Sequence, residues 1–399
     1  MPDDVRMIIR TLMDAGYEAW AVGGCVRDSL LGRIPKDWDI TTSALPQQIK
    51  SLFPRTIDTG IEHGTVTVMC KGTGYETTTY RIDGKYSDAR HPDSVTFAPS
   101  LEEDLKRRDF TINAMAYSDE KGLVDLFGGK HDIDSKIIRC VGDPEARFSE
   151  DALRILRAIR FSAQLDFEID GSTLAAASLL KSRLELISAE RIHTELENLI
   201  MSGHPDRLKL LHSTGIDEII LPELAAAGQS SEGTLDELVS MLESAPHDRR
   251  IRWSVLVNRS GNALGILRRL KFDNNTIHTA SGLIRFSTAR LNGLTDAEMR
   301  KLMHDAGSEN MPLIFDFRHV IEPGSDYSAS EDQYRAIVGR GECTDLKALA
   351  VDGKDLISYG IPAGKEVGET LNRLLNDVLD DPSLNKKELL LERIGKDQK

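Results

Sequence analysis

The sequence predicts an α+β protein in which a mixed segment of strands and helices precedes a long helical segment. Short β-type runs alternate with helical runs over residues 1–142, whereas helical periodicity dominates residues 143–399. Breaks that contain Gly or Pro divide the helical segment, and no repeat of fixed period is evident. Because 399 residues are too many for one ordinary core, we expect two to four structural units.

The elements of the first segment are predicted from alternation, apolar runs and turn residues. Candidate strands lie at 17–22, 38–42, 63–70, 75–81 and 122–127, and candidate helices at 26–31, at 109–116 and between a Ser43 cap and Phe53-Pro54. A turn at 72–74 is predicted to join the strands at 63–70 and 75–81 in a hairpin. The polar stretch at 82–99 that follows the second strand lacks periodicity and is predicted to be a mobile loop. From residue 143 onward we expect no further strands.

Composition and charge limit the classes of protein that fit. Hydrophobic residues make up 40% and charged residues 29%, as in folded soluble proteins. No apolar run approaches the ~18 residues of a membrane span, and the N-terminus has no signal-peptide pattern, so we expect a cytoplasmic protein without membrane contact. The net charge of −14 argues against nonspecific coating of nucleic acid, but it is compatible with an RNA enzyme that has a local basic groove.

The cysteines give no sign of a disulfide framework or a zinc site. The four are Cys25, Cys70, Cys140 and Cys343, and they form no CxxC pair and have no zinc-finger spacing to a histidine. We expect all four to be reduced packing residues. No obligatory protein partner is expected.

Two aspartates at 37 and 39 form the first candidate for chemistry. Alternation on a strand would point Asp37 and Asp39 to one side and Ile40 to the core. Two adjacent carboxylates repel unless a cation lies between them, and hard oxygen ligands favour Mg²⁺. Taken alone, such a pair more often marks an exposed edge strand, so its context must decide.

The preceding stretch, residues 23–28, supplies that context. Gly23 and Gly24 lie between a strand and a helix, where glycines let backbone N–H groups approach a phosphate, and Arg27 in the first turn would add a positive charge. A tight turn that only needs small residues is the alternative. A phosphate-binding turn about 10 residues before an aspartate pair is more specific than either part alone.

Two further features are ambiguous when taken singly. Glu76 is an acid within a β-rich run, which favours either a third catalytic acid or an exposed edge. Residues 148–162 are predicted to be one amphipathic helix with arginines at every third position on its polar side. That polar side suits contacts to anions or bases, or it is a solvated face.

Together these stretches resemble the head of the class II tRNA nucleotidyltransferases and bacterial poly(A) polymerases, which are polymerase-β-type nucleotidyltransferases. The matching stretches, in the family's order, are residues 23–28, 37–39, 107–114, 150–154 and 190–192. The match is strong over residues 17–200, and residues 351–356 resemble a tail element of the bacterial CCA-adding branch. The resemblance implies a polymerase-β-like nucleotidyltransferase head at 1–142, followed by an all-α neck at 143–202, body at 203–330 and tRNA-binding tail at 331–399.

The resemblance also implies roles for individual residues. By the family's pattern Asp37 and Asp39 hold Mg²⁺, and Glu76 is the third catalytic acid. The implied nucleotide-binding residues are Gly24, Arg27, Arg108, Asp109, Asp151, Arg154, Arg157 and Arg160. Asp151 and Arg154 would read the base, because cytosine and adenine each present an amino donor beside a ring-nitrogen acceptor. Uracil and guanine reverse that pattern.

The implied function is template-independent addition of CCA to the 3′ end of tRNA from CTP and ATP, with release of pyrophosphate. By resemblance, the loop that holds or adjoins Arg81, Lys85, Asp88, Arg90 and Asp93 helps the switch from C to A; a disordered connector is the alternative. A CC-only or A-only enzyme or a poly(A) polymerase would share nearly all these motifs. A nonenzymatic helical RNA-binding scaffold does not account for the intact aspartates, and a carboxylate-pair hydrolase leaves the glycine turn unexplained.

Overall fold

The structure is a computed structural model that describes residues 1–83, 95–97, 100–228 and 234–397. The chain divides into two compact units, Met1–Leu235 and Asp236–Lys399. Strands occur in the first unit, whereas the described residues of the second are helical or irregular, so the predicted α+β class is confirmed. The finer division of the helical segment into neck, body and tail stays a prediction.

The first unit combines strands with short and medium-length helices. Its strands are β1 (Ala19–Val22), β2 (Asp39–Thr42), β3 (Thr56–Gly60), β4 (Thr65–Cys70), β5 (Thr73–Thr79), β6 (Arg81–Asp83), β7 (Val95–Phe97), β8 (Met115–Ser118), β9 (Gly122–Asp125), β10 (Ile137–Ile138) and β11 (Glu168–Ile169). Its α-helices are α1 (Asp3–Asp14), α2 (Gly24–Leu30), α3 (Pro46–Leu52), α4 (Leu101–Lys106), α5 (Gly129–Asp134), α6 (Pro144–Glu150), α7 (Leu153–Leu165), α8 (Gly171–Leu179), α9 (Ala189–Ile200), α10 (Leu208–Ser213), α11 (Asp217–Ile220) and α12 (Pro222–Gly228). Short 3₁₀ helices lie at Ile61–His63, Thr111–Asn113, Lys181–Leu186 and Pro205–Arg207.

Seven of these strands form one sheet in the order β3-β4-β5-β2-β1-β8-β9. Neighbours run antiparallel except β2 and β5, which are parallel. Ile40 lies opposite Ala21 on β1 and Thr77 on β5, and it is 1% exposed, as the alternation predicted. Because β2 has neighbours on both sides, the edge-strand interpretation of the aspartate pair is wrong. Hydrogen bonds to β1 on one side and to β5 on the other hold β2 in place.

A tight turn at Lys71-Gly72 joins β4 to β5. Both residues have positive φ, 48° and 90°, which is the backbone of the two-residue hairpin turns that match strand twist. Cys70 pairs with Thr73 directly across the turn. The hairpin predicted here is confirmed, with β5 starting at Thr73 inside the predicted turn.

The helix predicted at 109–116 is wrong. The segment forms only the 3₁₀ turn Thr111–Asn113 and then enters β8, whose Tyr117 lies opposite Ala21 of β1. The Asp109 carboxylate accepts a hydrogen bond from the N–H of Phe110, which competes with helix formation. Pairing with a distant strand thus outweighs the local helical pattern.

The single helix predicted at 148–162 is also wrong, because it is two helices. Asp151 adopts an extended backbone, φ −138° and ψ 104°, and ends α6. Its side chain then accepts a hydrogen bond of 3.0 Å from the N–H of Leu153, the first residue of α7. The predicted apolar side is confirmed, since Phe148, Ala152, Ile155, Leu156 and Ile159 are all buried. The break places Asp151 at a corner rather than on a continuous face.

Three smaller expectations also need correction. Ser43 does not cap α3: the helix starts after Leu45, and the Ser43 hydroxyl instead accepts from the N–H of Glu18. β11 pairs with β10, so strands do occur beyond residue 143. β6 pairs with β7 at the two ends of the stretch predicted to be a mobile loop. Residues 84–94 and 98–99, with Lys85, Asp88, Arg90 and Asp93 among them, lie outside the described residues.

The second unit is built from helices around its own apolar core. They are α13 (Leu235–Ser244, whose first residue ends the first unit), α14 (Arg249–Val257), α15 (Ala263–Arg269), α16 (Asn274–Arg285), α17 (Asp296–Ala306), α18 (Met311–Ile321), α19 (Ser328–Gly339), α20 (Gly353–Tyr359), α21 (Lys365–Asp380) and α22 (Lys387–Asp397), with 3₁₀ turns at Ser308–Asn310 and Pro382–Leu384. Leu356, Leu374 and Val378 lie in a buried cluster. The buried Arg300 donates to the carbonyl of Leu379 at the end of α21, which stabilises that helix terminus.

The cysteines have a packing role, as predicted. All four are free and buried. Burial raises the pKa of the Cys25 thiol to about 11, so this thiol is protonated and weakly reactive near neutral pH. Throughout the part of the chain that the structure describes, no helix has both the length and the apolar character needed to cross a bilayer.

Candidate active site

The two aspartates lie at the start of β2, in the middle of the sheet. Asp39 is the first residue of the strand, and Asp37 precedes it in irregular backbone, so the prediction that both lie on the strand holds only for Asp39. Both side chains are exposed to solvent. Because Ile40 pairs with Thr77 on β5, Glu76 lies beside Asp39 on the neighbouring strand. The register thus places Asp39, at the start of β2, beside Glu76 in the middle of β5, and Asp37 lies two residues before Asp39.

The charges around Asp39 favour a bound cation. Although Asp39 is an exposed residue, its pKa is raised, first because nearby protein atoms partly desolvate the carboxylate and then because Glu76 and Asp37 add negative charge; the charge of Arg108 acts in the opposite sense. A divalent cation between the carboxylates would relieve this repulsion, and oxygen donors suit it. Among the residues that the structure describes, no three His, Cys, Asp or Glu side chains converge as a metal-binding group. Metal binding by Asp37 and Asp39, and a direct metal contact from Glu76, therefore stay predictions.

The glycine turn before α2 is shaped by an arginine. Gly23 has φ 82°, a backbone conformation that residues with a side chain rarely adopt. A Cβ at this position would lie 2.9 Å from Nη1 of Arg108. At Gly24, the glycine that the family resemblance assigns to the nucleotide, a Cβ would lie 3.7 Å from Nη2 of Arg27, which is an ordinary van der Waals contact. Gly23 is therefore the position that requires glycine. Since α2 has only seven residues, we assign the positive potential here to Arg108 rather than to the helix terminus.

Arg108, beside this turn, has N–H donors that are not used in hydrogen bonds to the described residues. Its Nη2 donates to Asp104 at 3.3 Å, and its buried Nε has no hydrogen-bond partner in the described structure. The positive charge of this guanidinium opposes the rise in the pKa of Asp39, so Arg108 lies near that carboxylate. An incompletely paired guanidinium between a glycine turn and two carboxylates suits the oxygens of a phosphate chain.

Asp104 holds Arg108 in place, and sequence reasoning missed it. The Asp104 side chain is 0% exposed, accepts two hydrogen bonds from Arg107 at 3.0 and 2.8 Å, and also accepts one from Thr41 on β2. Burial alone would raise the pKa of Asp104, but Arg107 and Arg108 outweigh burial and lower it. The buried carboxylate therefore stays ionised and links the arginine pair to the strand that carries Asp39.

Arg27 is held on the inner side of α2. It is 8% exposed, donates to the Asn113 side chain at 2.6 Å and forms an ion pair with Asp28 at 2.7 Å. Asn113, another residue that sequence reasoning did not assign, belongs to the 107–114 stretch. The 3₁₀ turn found in place of a helix is what directs Asn113 toward Arg27.

Asp109 orients side chains rather than pointing into open solvent. It is 8% exposed and accepts hydrogen bonds from Asn113 at 3.1 Å and from Nε and Nη2 of Arg157 at 2.8 and 2.6 Å. Burial would raise the pKa of Asp109, but Arg157 and Asn113 lower it well below its usual range. Asp109 therefore joins the head segment to α7 through a permanently charged pair.

Asp151 and Arg154 lie close together at the α6–α7 corner, and each has a partner. Asp151 forms an ion pair of 2.9 Å with Arg191 of α9. Arg154, predicted on the solvent side, is 8% exposed; it pairs with Glu150 at 2.8 Å and donates to the backbone carbonyl of Arg107 at 3.0 Å. Their assignment as base-reading residues stays a prediction, and each has donor or acceptor capacity beyond these contacts.

Arg160 is anchored by Glu195 on α9. Its Nε lies 2.6 Å from the carboxylate of Glu195 on α9, and both side chains are nearly buried. Arg191 and Glu195 thus connect α9 to the corner and to α7. Glu195 could have been predicted from the sequence, because its spacing places it on the same helix face as the apolar residues Ile192, Leu196 and Leu199. A charged residue on the apolar face of a helix normally has a buried partner.

Comparison with known protein families accounts for most of the chain. Residues 19–139 match the family model described as "Poly A polymerase head domain", and residues 166–227 match the one described as "Probable RNA and SrmB- binding site of polymerase A". Residues 247–394 match the model of tRNA nucleotidyltransferase domain 2. The first match covers the sheet, both aspartates and the glycine turn.

Curated relatives align with the chain from end to end. The CCA-adding enzyme of Pediococcus pentosaceus is 37% identical, over 100% of this chain and 98% of the relative. The CCA-adding enzyme of Geobacillus thermodenitrificans is 40% identical, over 96% of this chain and 93% of the relative.

Solved structures support the same assignment. The CCA-adding enzyme of Bacillus stearothermophilus in complex with CTP superposes with a TM-score of 0.84 at 35% identity, over 100% of this chain and 99% of that one. The CCA-adding enzyme of Thermotoga maritima complexed with tRNA superposes with a TM-score of 0.65 at 21% identity, over 99% and 95%, and shows a shared fold. With the aspartate pair, the glycine turn and Arg108 in place on this fold, the chain belongs to the CCA-adding enzymes, the class II tRNA nucleotidyltransferases.

Proposed function

We propose that the protein adds CCA to the 3′ end of tRNA from CTP and ATP, without a nucleic-acid template, and releases pyrophosphate. The full-length likeness to CCA-adding enzymes supports this reaction. The observation that carries it is Arg108, which lies against the glycine turn and acts on the charge of Asp39, two residues after Asp37. This combines a candidate phosphate site with a candidate cation site. A tRNA substrate makes the cytoplasm the expected place of action.

The reaction joins the tRNA 3′-oxygen to the α-phosphorus of the triphosphate. It breaks the bond from that phosphorus to the oxygen shared with the β-phosphorus, which leaves as a terminal oxygen of pyrophosphate. This family requires a divalent metal, which we propose to be Mg²⁺ held by Asp37 and Asp39. Bound there, it would lower the pKa of the attacking hydroxyl and stabilise the leaving oxygen. Arg108 and Arg27 would bind the triphosphate oxygens and offset their charge.

Base choice would take place at the α6–α7 corner. We propose that Asp151 accepts a hydrogen bond from the amino group of cytosine or adenine, while Arg154 donates to the ring nitrogen. Asp109, Arg157 and Arg160 would belong to the same nucleotide site: Asp109 holds the Arg157 side chain, and Arg157 and Arg160 assist in binding the nucleotide. The proposed organisation is a head at 1–142, a neck at 143–202, a body at 203–330 and a tail at 331–399.

The product formed from each triphosphate tests this function. A tRNA that ends at the base before CCA is incubated with CTP alone, ATP alone, or both. We expect two added nucleotides with CTP, none with ATP and three with both. Two nucleotides in the last arm would indicate a CC-only enzyme, a long ladder would indicate a poly(A) polymerase, and no product in any arm would contradict the proposal.

Gly23→Ala is expected to weaken triphosphate binding. The added Cβ would displace the Arg108 guanidinium from the turn, and a charge-assisted hydrogen bond contributes roughly 1.5–3 kcal/mol, so KM for CTP should rise about 10- to 100-fold. Gly32→Ala is the matched control, because Gly32 has φ 69° but no neighbour within 4 Å of a Cβ. Equal KM changes in the two variants would mean that backbone strain, and not Arg108, causes the effect.

tRNA binding is expected to depend on salt but little on tRNA sequence. Double-stranded RNA is recognised mainly through phosphates and 2′-hydroxyls, and each neutralised phosphate adds to the salt dependence. Filter binding with several tRNA species from low to high KCl would measure both properties. A strong preference for one species, or an affinity independent of salt, would argue against recognition by shape.

A further inference from the structure

Three arginine side chains surround the aromatic ring of Phe161. Their guanidinium carbons lie 3.9 Å from the ring centroid for Arg160, 5.0 Å for Arg27 and 5.3 Å for Arg157. Arg27 belongs to α2, whereas Phe161 and the other two arginines belong to α7. The ring therefore joins the glycine-turn helix to the helix that follows the base-reading corner.

The setting of Phe161 makes its ring electrostatics important. The side chain is 6% exposed, so water screens these charges weakly, and three like charges around one point repel one another. The negative face of an aromatic ring attracts a guanidinium within about 6 Å. An aliphatic side chain would fill much of the same space without that attraction.

The arginines are paired in a way that leaves capacity for an anion. Arg157 uses Nε and Nη2 for Asp109, and the described residues offer its Nη1 no acceptor. Its side chain is 33% exposed, so protein encloses this guanidinium only in part. Arg27 is fixed by Asn113 on one side and by the ring of Phe161 on another. The ring therefore constrains the direction of two guanidiniums at the edge of the site.

We propose that Phe161 is a positioning residue for the nucleoside triphosphate. Its ring holds Arg27 and Arg157 in the orientation in which they bind the phosphate chain, and Phe161 itself touches no substrate. This inference rests on the proposed function, which assigns both arginines to the nucleotide. It predicts that triphosphate affinity depends on the electrons of the ring and not only on its volume.

Fluorinated phenylalanines test this dependence. Phenylalanine carrying one, two or three ring fluorines is placed at position 161, since each fluorine weakens the negative face and changes the volume little. The measured quantities are the Kd for CTP by calorimetry with Mg²⁺ present, and KM and kcat for CTP on a tRNA that lacks CCA. We expect Kd and KM to rise with each fluorine, to about tenfold for the trifluorinated ring, with kcat nearly constant. Phe161→Leu should raise Kd at least as much.

Phe148 provides the matched control. It is 0% exposed on α6, and no cation is placed over its ring by the residues described. The same fluorinated series at position 148 should leave the Kd for CTP unchanged. A flat series at position 161, or equal changes at 161 and 148, would overturn the inference. A parent protein that neither binds CTP nor extends tRNA would instead contradict the proposed function, so the two failures are distinguishable.

Discussion

Asp37→Asn and Asp39→Asn are each expected to lower kcat by about 10³-fold or more. An amide cannot supply the charge that holds a divalent cation, and losing a transition-state metal contact costs several kcal/mol, at about 1.4 kcal/mol per tenfold in rate. Single-turnover incorporation of CMP at saturating CTP and Mg²⁺ measures the loss. The effect should be the same for C and A addition, because both use one pair of carboxylates.

The same variants should remain folded. The raised pKa of Asp39 means that its charge opposes folding, so a neutral amide is not expected to lower the free energy of unfolding. Asp58→Asn is the control: Asp58 lies on β3 of the same sheet, where it pairs with Lys50 on the surface. Its kcat should stay within about twofold of the parent. Near-normal turnover by either Asp37→Asn or Asp39→Asn would show that the pair does not hold the metal.

Asp151→Ala and Arg154→Ala are expected to reduce the preference for C and A over U and G by about 100-fold or more. Asp151 only accepts and Arg154 only donates, and sites that hydrogen-bond a substrate discriminate by roughly 10⁴-fold. The two losses should not add, because both residues read one base. The measurement is kcat/KM for each of the four triphosphates on one tRNA.

Structural damage must be separated from lost base recognition. Arg154→Ala also removes the ion pair with Glu150 and leaves the carbonyl of Arg107 without this donor. Arg183→Ala is a suitable control, because Arg183 likewise donates to a backbone carbonyl, that of Ser149 on α6, and has no proposed base contact. The Arg183→Ala variant should keep the parent's preference for C and A over U and G. If Asp151→Ala and Arg154→Ala both keep the parent's selectivity, base choice occurs elsewhere.

Local patterns in the sequence were sufficient to predict the strand that begins at Asp39 and the glycine turn that precedes α2. Alternation correctly placed Ile40 in the core and Asp39 in solvent, although Thr41 and Thr42 are also buried, and the glycine pair marked the turn before α2. The choice between Gly23 and Gly24 required the structure, because it depends on where the guanidinium of Arg108 lies.

Long-range contacts explain what the sequence could not show. Asp104 is linked to Thr41 across 63 residues, and an acid in the first turn of a helix normally indicates only a solvated end. The helix predicted at 109–116 was replaced by β8 because β1 offers it a partner. The corner at Asp151 was missed because apolar periodicity continues on both sides of it.

The 3′-terminal sequence of the product shows whether the protein itself selects the added bases. Purified protein is given a tRNA that lacks CCA, together with all four triphosphates at equal concentration, and the added nucleotides are sequenced. A protein that selects bases with its own side chains should produce the single ending CCA and then stop, although UTP and GTP are present. Endings of mixed composition, or extension beyond the first A, would contradict the account.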